Sequence, residues 1–169
     1  MLCCMAFLAS GCNNRTGGDS SDSGAQKEQK VIRASELVTK ADAERILKVS
    51  VRLDADESSE NESSCFYSGT NIEKGNPSTL SVSLGVPSTE DLAKTSFQTA
   101  IKQGEVIGPV EPVAAIGDEA RLASGSPATL AIYARQKRAV LSLTAVGNSN
   151  AKPSLSELRS LARRILEQL

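Results

Sequence analysis

Two alternating segments around a short polar turn are the strongest constraint on what this chain can fold into. In residues 129–146, "TLAIYARQKRAVLSLTAV", apolar side chains recur at every second position on either side of Gln136–Lys137. Successive side chains of a strand point to opposite faces of a sheet, so the pattern predicts a β-hairpin with one buried face. Such a short connection joins antiparallel strands, since a parallel crossover needs about a dozen residues or more.

Further segments predict additional strands of the same sheet. The alternation is regular in "TLSVSLGV", residues 79–86, and shorter in "VSVRLD", residues 49–54. "SCFYSG", residues 64–69, and Glu119–Ala123 are also predicted strands, whereas the two prolines of "GPVEPV" exclude a central strand there. In the two alternating segments, the residues expected to face the core are Val49, Val51, Leu53, Leu80, Val82, Leu84 and Val86.

Three segments combine a capping signal with apolar residues at helical spacing. The three segments are "LVTKADAERILK", "STEDLAKTSFQTAIKQG" and "PSLSELRSLARRILEQL". The helix in the second segment is expected to end at Gly104. A hydroxyl at the N-cap accepts a hydrogen bond from a free backbone N–H of the first turn. The carboxylate of an acidic residue three positions later can accept one from the backbone N–H of the N-cap residue. The predicted pairs are Thr39 with Asp42, Ser88 with Asp91, and Ser154 with Glu157.

The order of these elements predicts the fold class. A helix, three strands, a helix, two or three strands and a final helix leave no regular β-α-β alternation. We therefore expect an α+β fold, with an antiparallel sheet of about five to six strands packed against two to three helices. The apolar residues begin at Val31, so residues 31–169 are expected to form one domain with a single core.

Composition excludes several functional classes. The 19 Lys and Arg residues are balanced by 20 Asp and Glu, and aromatic residues make up only 3% of the chain. A nucleic-acid binder needs a basic surface, and a reader of single strands needs aromatic stacking platforms, so no nucleic-acid partner is expected. The chain contains no His, which excludes Ser-His-Asp and Cys-His nucleophile systems and imidazole metal sites.

Two nucleophile arrangements remain to be weighed. "SNAK" places Ser149 and Lys152 at the spacing of a Ser-Lys site, but the segment is a polar loop in which the lysine stays solvated and protonated. Cys65 has no CxxC partner and no adjacent base to lower its pKa. We therefore interpret it as a small buried strand residue, with a reactive thiolate as the alternative, and expect no catalytic residue.

The acidic segment "DADESSENE", residues 54–62, resembles a calcium loop only superficially. An EF-hand needs Gly at its sixth position and Glu at its twelfth, and this chain has Ser59 and Cys65 there. The segment is expected to be a solvated loop between two strands. Asp54, Asp56 and Glu60 remain candidates for weak binding of a divalent cation, and the sequence predicts neither a dedicated metal site nor a cofactor.

Two smaller charged motifs have both a structural and a functional interpretation. "GDEA", residues 117–120, is typical of a turn in which Gly adopts a positive φ and Asp bonds to nearby backbone; the alternative is a ligand role for Asp118 and Glu119. The basic residues Arg135, Lys137 and Arg138 are expected to keep a hairpin tip solvated, although an anionic headgroup or polymer could bind there.

The N-terminal segment indicates where the protein is located. Residues 1–11 are apolar but too short to span a bilayer, and they end in small residues, as a secretory signal peptide does. "LASGC" resembles the lipobox of bacterial lipoproteins, which implies lipidation and a mature N-terminus at Cys12. No Lys or Arg precedes the apolar run, which predicts a translation start further upstream. The alternative is a cytosolic chain whose start is apolar by chance.

Residues 12–30 are expected to connect the lipid to the domain. Beyond Cys12 this stretch has no aliphatic residue larger than Ala, so it cannot bury enough surface to offset its ordering entropy. It is interpreted as a flexible tether. With Cys12 lipidated, Cys65 has no partner in the mature chain, and no structural disulfide is expected.

The domain as a whole resembles a known group. "ELVTKADAERIL" near its start, "CFY" on one strand, a central "GDEA" turn and a hairpin before the last helix are similar to small secreted lipoproteins with a PsbP-like domain. The resemblance implies a fold and an extracytoplasmic location. It supplies no catalytic residues to transfer to this chain.

Three functional hypotheses follow. The leading one is a lipid-anchored, non-catalytic binding or assembly module of the cell envelope, facing away from the cytoplasm, with an envelope protein or a small ligand as its partner. The second is a carboxylate enzyme, which requires two acidic residues converging in a cleft. The third is a structural envelope lipoprotein, which requires an exposed apolar patch.

Overall fold

The computed structural model describes residues 32–70, 77–125, 128–148 and 151–169. The predicted signal peptide, Cys12 and the predicted tether lie outside the described residues. The helices are α1 (Ala34–Leu37), α2 (Lys40–Leu47), α3 (Glu90–Gly104) and α4 (Leu155–Glu167). The strands are β1 (Val51–Ser58), β2 (Glu62–Gly69), β3 (Thr79–Gly85), β4 (Val110–Pro112), β5 (Glu119–Ser124), β6 (Thr129–Gln136) and β7 (Ala139–Val146).

All seven described strands form one antiparallel sheet in the order β1-β2-β3-β7-β6-β5-β4. The predicted α+β class is confirmed, with seven strands instead of five to six and four helices instead of two to three. The additional strand is β4, which lies at the sheet edge and pairs on one side only. Pro112, which has no backbone N–H to donate, is tolerated there. The additional helix is the single turn α1. None of the described helices is both long and apolar enough to cross a lipid bilayer.

The first face of the sheet packs against α1, α2 and α4, and this layer contains most of the core. Leu80, Val82 and Leu84 alternate onto this face as predicted, and α4 packs over the neighbouring strands β6 and β7 on the same face. The hydroxyl of Tyr67 donates to the carbonyl of Val38 at 2.6 Å and connects the sheet to the segment between α1 and α2. Leu53 was expected in this core but is 46% exposed, because it lies on the edge strand β1.

Asp42 connects α2 to α4 through charged hydrogen bonds. It closes the predicted capping box with Thr39, and its carboxylate also accepts from Arg45 and, at 2.7 Å, from Arg164. Burial would raise the pKa of Asp42, but the hydrogen bonds from Arg164 and Thr39 outweigh it and the pKa is lowered. Arg164 of α4 thus pairs with a buried carboxylate of α2.

The second face of the sheet is covered by α3 over β6 and β7. Phe97 and Ala93 of this helix pack with Tyr133 and Val140 in a second, smaller core, where the sequence predicted a single one. The helix ends at Gly104, which lies so close to Tyr133 that a Cβ atom there would come within 2.5 Å of the ring. The absence of a side chain at this position therefore allows the helix end to approach the sheet.

The positions of one helix cap and one turn were each predicted one residue too early, and one segment predicted as a loop is mostly strand. The N-cap of α3 is Thr89, whose hydroxyl accepts from Leu92 N at 3.2 Å, instead of Ser88. The turn of the last hairpin is Lys137–Arg138, with Lys137 at φ +52°, instead of Gln136–Lys137. The acidic stretch 54–62 is not a long loop, because β1 continues to Ser58 and β2 begins at Glu62.

Candidate functional site

A groove of about 600 Å³ lies between α3 and the part of the second sheet face that this helix leaves open. We call it the α3 groove. One wall is α3, the floor is formed by β3 and β7, and the tip of the β1–β2 hairpin closes one end. Its lining residues are Asn61, Glu62, Ser83, Gly85, Pro87, Leu92, Thr95, Ser96, Thr99, Ala100, Gln103, Val140 and Ser142.

The floor of the groove depends on strand pairing between distant parts of the chain. Ser83 of β3 lies directly opposite Ser142 of β7 in the antiparallel register. Residues opposite each other in a sheet point to the same face, so the two hydroxyls are neighbours on the floor. Ser83 is exposed and Ser142 is half-buried. Both are therefore accessible to a ligand lying along α3.

The helix wall presents hydroxyl and amide groups at helical spacing. Thr95, Thr99 and Gln103 recur every four residues, which aligns them along the helix. The hydroxyls of Thr95 and Thr99 each donate to the backbone carbonyl four residues earlier, at 3.0 Å. Because each hydroxyl has one proton and two lone pairs, these two threonines face a ligand as acceptors.

A smaller depression of about 320 Å³ continues the α3 groove around the β1–β2 hairpin. We call it the hairpin pocket. It shares Glu62 and Ser83 with the α3 groove, and it adds the carboxylate of Glu57. Within the described part of the chain, neither glutamate forms an ion pair. The two adjoining cavities therefore join a neutral, hydrogen-bonding groove to an acidic end.

Comparison with known proteins assigns no role to this site. No protein-family model, curated protein or solved structure matches the chain significantly. The resemblances to bacterial lipoproteins and to PsbP-like domains therefore stay predictions from the sequence. What the groove does has to be argued from its own residues.

The three candidate cation ligands are placed apart and have other roles. Asp54 is the bulged residue of β1. A hydrogen bond from Ser68 and another from Arg52, at 2.7 Å, hold its pKa below the usual value despite some desolvation. Asp56 accepts from Ser35 of α1 at 2.8 Å, and Glu60 is exposed in the hairpin turn. Among the residues that the structure describes, no three acidic or thiol side chains are grouped to hold a metal ion.

Of the candidate nucleophile residues, Cys65 and Lys152 are described, and neither lines the α3 groove. Cys65 is 1% exposed in the first core, as predicted, and its thiol is free among the residues that the structure describes. Burial, with a smaller contribution from Asp56, raises the pKa of its thiol to about 12, so the thiol stays protonated at neutral pH. Ser149 lies outside the described residues, and Lys152 is exposed.

The "GDEA" turn and the basic hairpin tip form one structural network. Gly117 has the expected positive φ, and Asp118 accepts from Lys137 N at 2.7 Å. Arg135 was expected in the solvated tip; instead it is 7% exposed and bonds to Glu119 at 2.8 Å. Glu119 and Arg135 lie opposite each other in the β5–β6 register, so correct alignment of those strands would have indicated the pair.

Proposed function

We propose that this protein is a lipid-anchored envelope protein whose domain is a non-catalytic binding module, with the α3 groove as its binding site. The groove itself carries the proposal. It is an open cleft of about 600 Å³, a size that ligand sites commonly have, and it combines apolar surface with several hydrogen-bonding groups. The predicted lipid on Cys12 would hold this groove near a membrane.

The chemistry of the groove supports binding over catalysis. Hydroxyl and amide side chains supply most of its polar groups, and the single ionisable residue in its lining is Glu62. The carboxylates of Asp42 and Asp54, whose pKa values are lowered, lie outside the groove and are held by arginines. Such groups stabilise the fold and do not act as general acids at neutral pH.

One observation favours the carboxylate-enzyme alternative as a second candidate. Glu57 and Glu62 both line the hairpin pocket, as two cooperating acidic residues would. An enzyme that uses this pair would lose its turnover when either glutamate becomes glutamine, whereas a binding module would keep partial affinity.

Site-specific photocrosslinking in intact cells tests the proposed function. Benzoylphenylalanine replaces Gln103 in the α3 groove or, as a matched control, Arg159, an exposed residue of α4 outside the groove. We expect a defined crosslinked product from position 103 alone, and we expect the additional change Thr99→Arg to remove it. Equal crosslinking from both positions would contradict a binding role for the groove.

A further inference from the structure

The α3 groove contains several hydrogen-bond acceptors that a donor on a ligand can satisfy. The hydroxyl protons of Thr95 and Thr99 already serve carbonyls of α3, so these side chains present lone pairs to the groove. The carboxylate of Glu62 is an acceptor only. The amides of Asn61 and Gln103 and the serine hydroxyls of the lining can also donate, so the groove suits a ligand that carries both N–H groups and carbonyls, as a peptide backbone does.

The charge of the two cavities indicates the sign of the charge on the ligand. Neither the α3 groove nor the hairpin pocket has a Lys or Arg in its lining, and Glu57 and Glu62 have no cationic partner within the described part of the chain. An anionic ligand would meet like charge at this end. A cationic group placed between the two glutamates would gain an ion pair that the free protein lacks.

The shape of the site indicates a chain-like occupant. Two adjoining cavities of about 600 and 320 Å³ share one boundary, so the site is extended and changes from neutral to acidic along its length. Leu92, which is 52% exposed, and Val140 provide apolar surface for small side chains. The linings contain no aromatic ring on which a sugar could stack, a feature that sugar-binding faces commonly use.

The mode of recognition follows from the sheet order. Strands β2 and β3 are paired on both sides, so their backbone groups are already bonded and cannot accept an added strand. A peptide in the α3 groove must therefore be recognised by side chains of the wall and the floor. Its backbone N–H groups would donate to the threonine and serine oxygens.

We propose that the α3 groove and the hairpin pocket bind an extended peptide segment of a partner protein, with a Lys or Arg side chain of that segment between Glu57 and Glu62. This inference rests on the proposed binding function and names the class of its ligand. The body of the segment, with small or hydroxylated side chains, lies along Thr95, Thr99 and Gln103.

A random octapeptide library displayed on phage, selected against the full chain, tests this proposal. We expect the selected peptides to share a Lys or Arg at one position and to weaken with rising salt. The double variant Glu57→Gln/Glu62→Gln should bind them about four- to twenty-fivefold more weakly, since each exposed ion pair contributes about two- to fivefold. The matched control Glu36→Gln/Glu167→Gln changes the net charge equally on exposed helix surfaces and should bind normally.

A second pair of variants tests the groove itself. Thr99→Arg fills the α3 groove and adds a positive charge, so it should weaken the selected peptides by more than tenfold. Gln98→Arg places the same side chain on an exposed position of α3 outside the groove lining and should leave affinity unchanged. Equal effects of the two substitutions would overturn the proposed location.

The remaining outcomes separate this proposal from the proposed function. Selection of peptides without a basic residue, or of none, overturns the peptide proposal, while crosslinking at position 103 would still support a binding module. Spermidine is the probe for a small cationic ligand. If it binds as tightly as the selected peptides and with the same dependence on Glu57 and Glu62, the site takes an amine and the peptide assignment is wrong.

Discussion

The thiol of Cys65 is enclosed by the first core, and this determines its chemistry. It is 1% exposed, and its raised pKa of about 12 keeps the thiolate, which is the reactive form, scarce at neutral pH. We expect Cys65→Ser to lower the free energy of unfolding by about 1–3 kcal/mol, because a hydroxyl is then buried among apolar groups. Denaturant unfolding measures the change. Rapid reaction of the native protein with a thiol reagent would contradict this placement.

A second prediction at the residue scale concerns the carboxylate of Asp42. Its pKa is lowered on folding from the ordinary 3.8, so its stabilisation is complete above that value and is lost as pH falls through the lower folded pKa. Asp42→Asn should cost about 1–3 kcal/mol at pH 7, and stability should then depend less on pH below 4.

Unfolding midpoints measured from pH 7 to pH 3 check this expectation. Glu167→Gln removes an exposed carboxylate of α4 and is the control. If Asp42→Asn and the control show the same pH dependence, the proposed linkage through Asp42 is wrong.

At the scale of elements, the end of α3 depends on a close approach to β6. A Cβ atom at Gly104 would lie 2.5 Å from the ring of Tyr133, which is buried. Gly104→Ala should therefore destabilise the protein by about 1–3 kcal/mol, although alanine is the better helix former. Thermal unfolding measures the loss. Gly85→Ala, where a Cβ atom meets nothing within 4 Å, should leave the midpoint almost unchanged.

At the scale of the whole molecule, the predicted lipidation of Cys12 would place the α3 groove at a membrane. The predicted signal peptide ends in the small residues Ala9, Ser10 and Gly11, and the segment after Cys12 is polar. One acyl chain gives only marginal attachment, whereas two or three anchor a protein stably, with about 0.8 kcal/mol for each buried methylene.

Expression from the native locus tests this anchor. The wild-type protein should partition into the detergent phase and incorporate labelled palmitate, and Cys12→Ala should do neither. A change of Cys65 to Ala is the matched control and should leave labelling intact. Identical fractionation of wild type and Cys12→Ala as soluble protein would contradict the predicted location and the envelope part of the proposed function.

The sequence alone predicted the elements of this domain because their signals are local. The bonds of a capping box, as at Thr39 and Asp42, involve residues three positions apart. The alternation of Leu80, Val82 and Leu84 reflects one strand's own pleat. The interpretation of Cys65 as a buried strand residue depended on the same local information. The class of the fold followed from the order of these elements and their short connections.

Only the tertiary structure decided the α3 groove, because its residues meet through pairings between distant parts of the chain. Ser83 and Ser142 become neighbours when β3 pairs with β7, and α3 then lies beside them without covering them. The same reason explains two wrong predictions of exposure. Arg135 is buried against Glu119, and Leu53 is exposed. A side chain's pattern within its own strand indicates which face it joins, but the neighbouring strands and helices decide whether that face is covered.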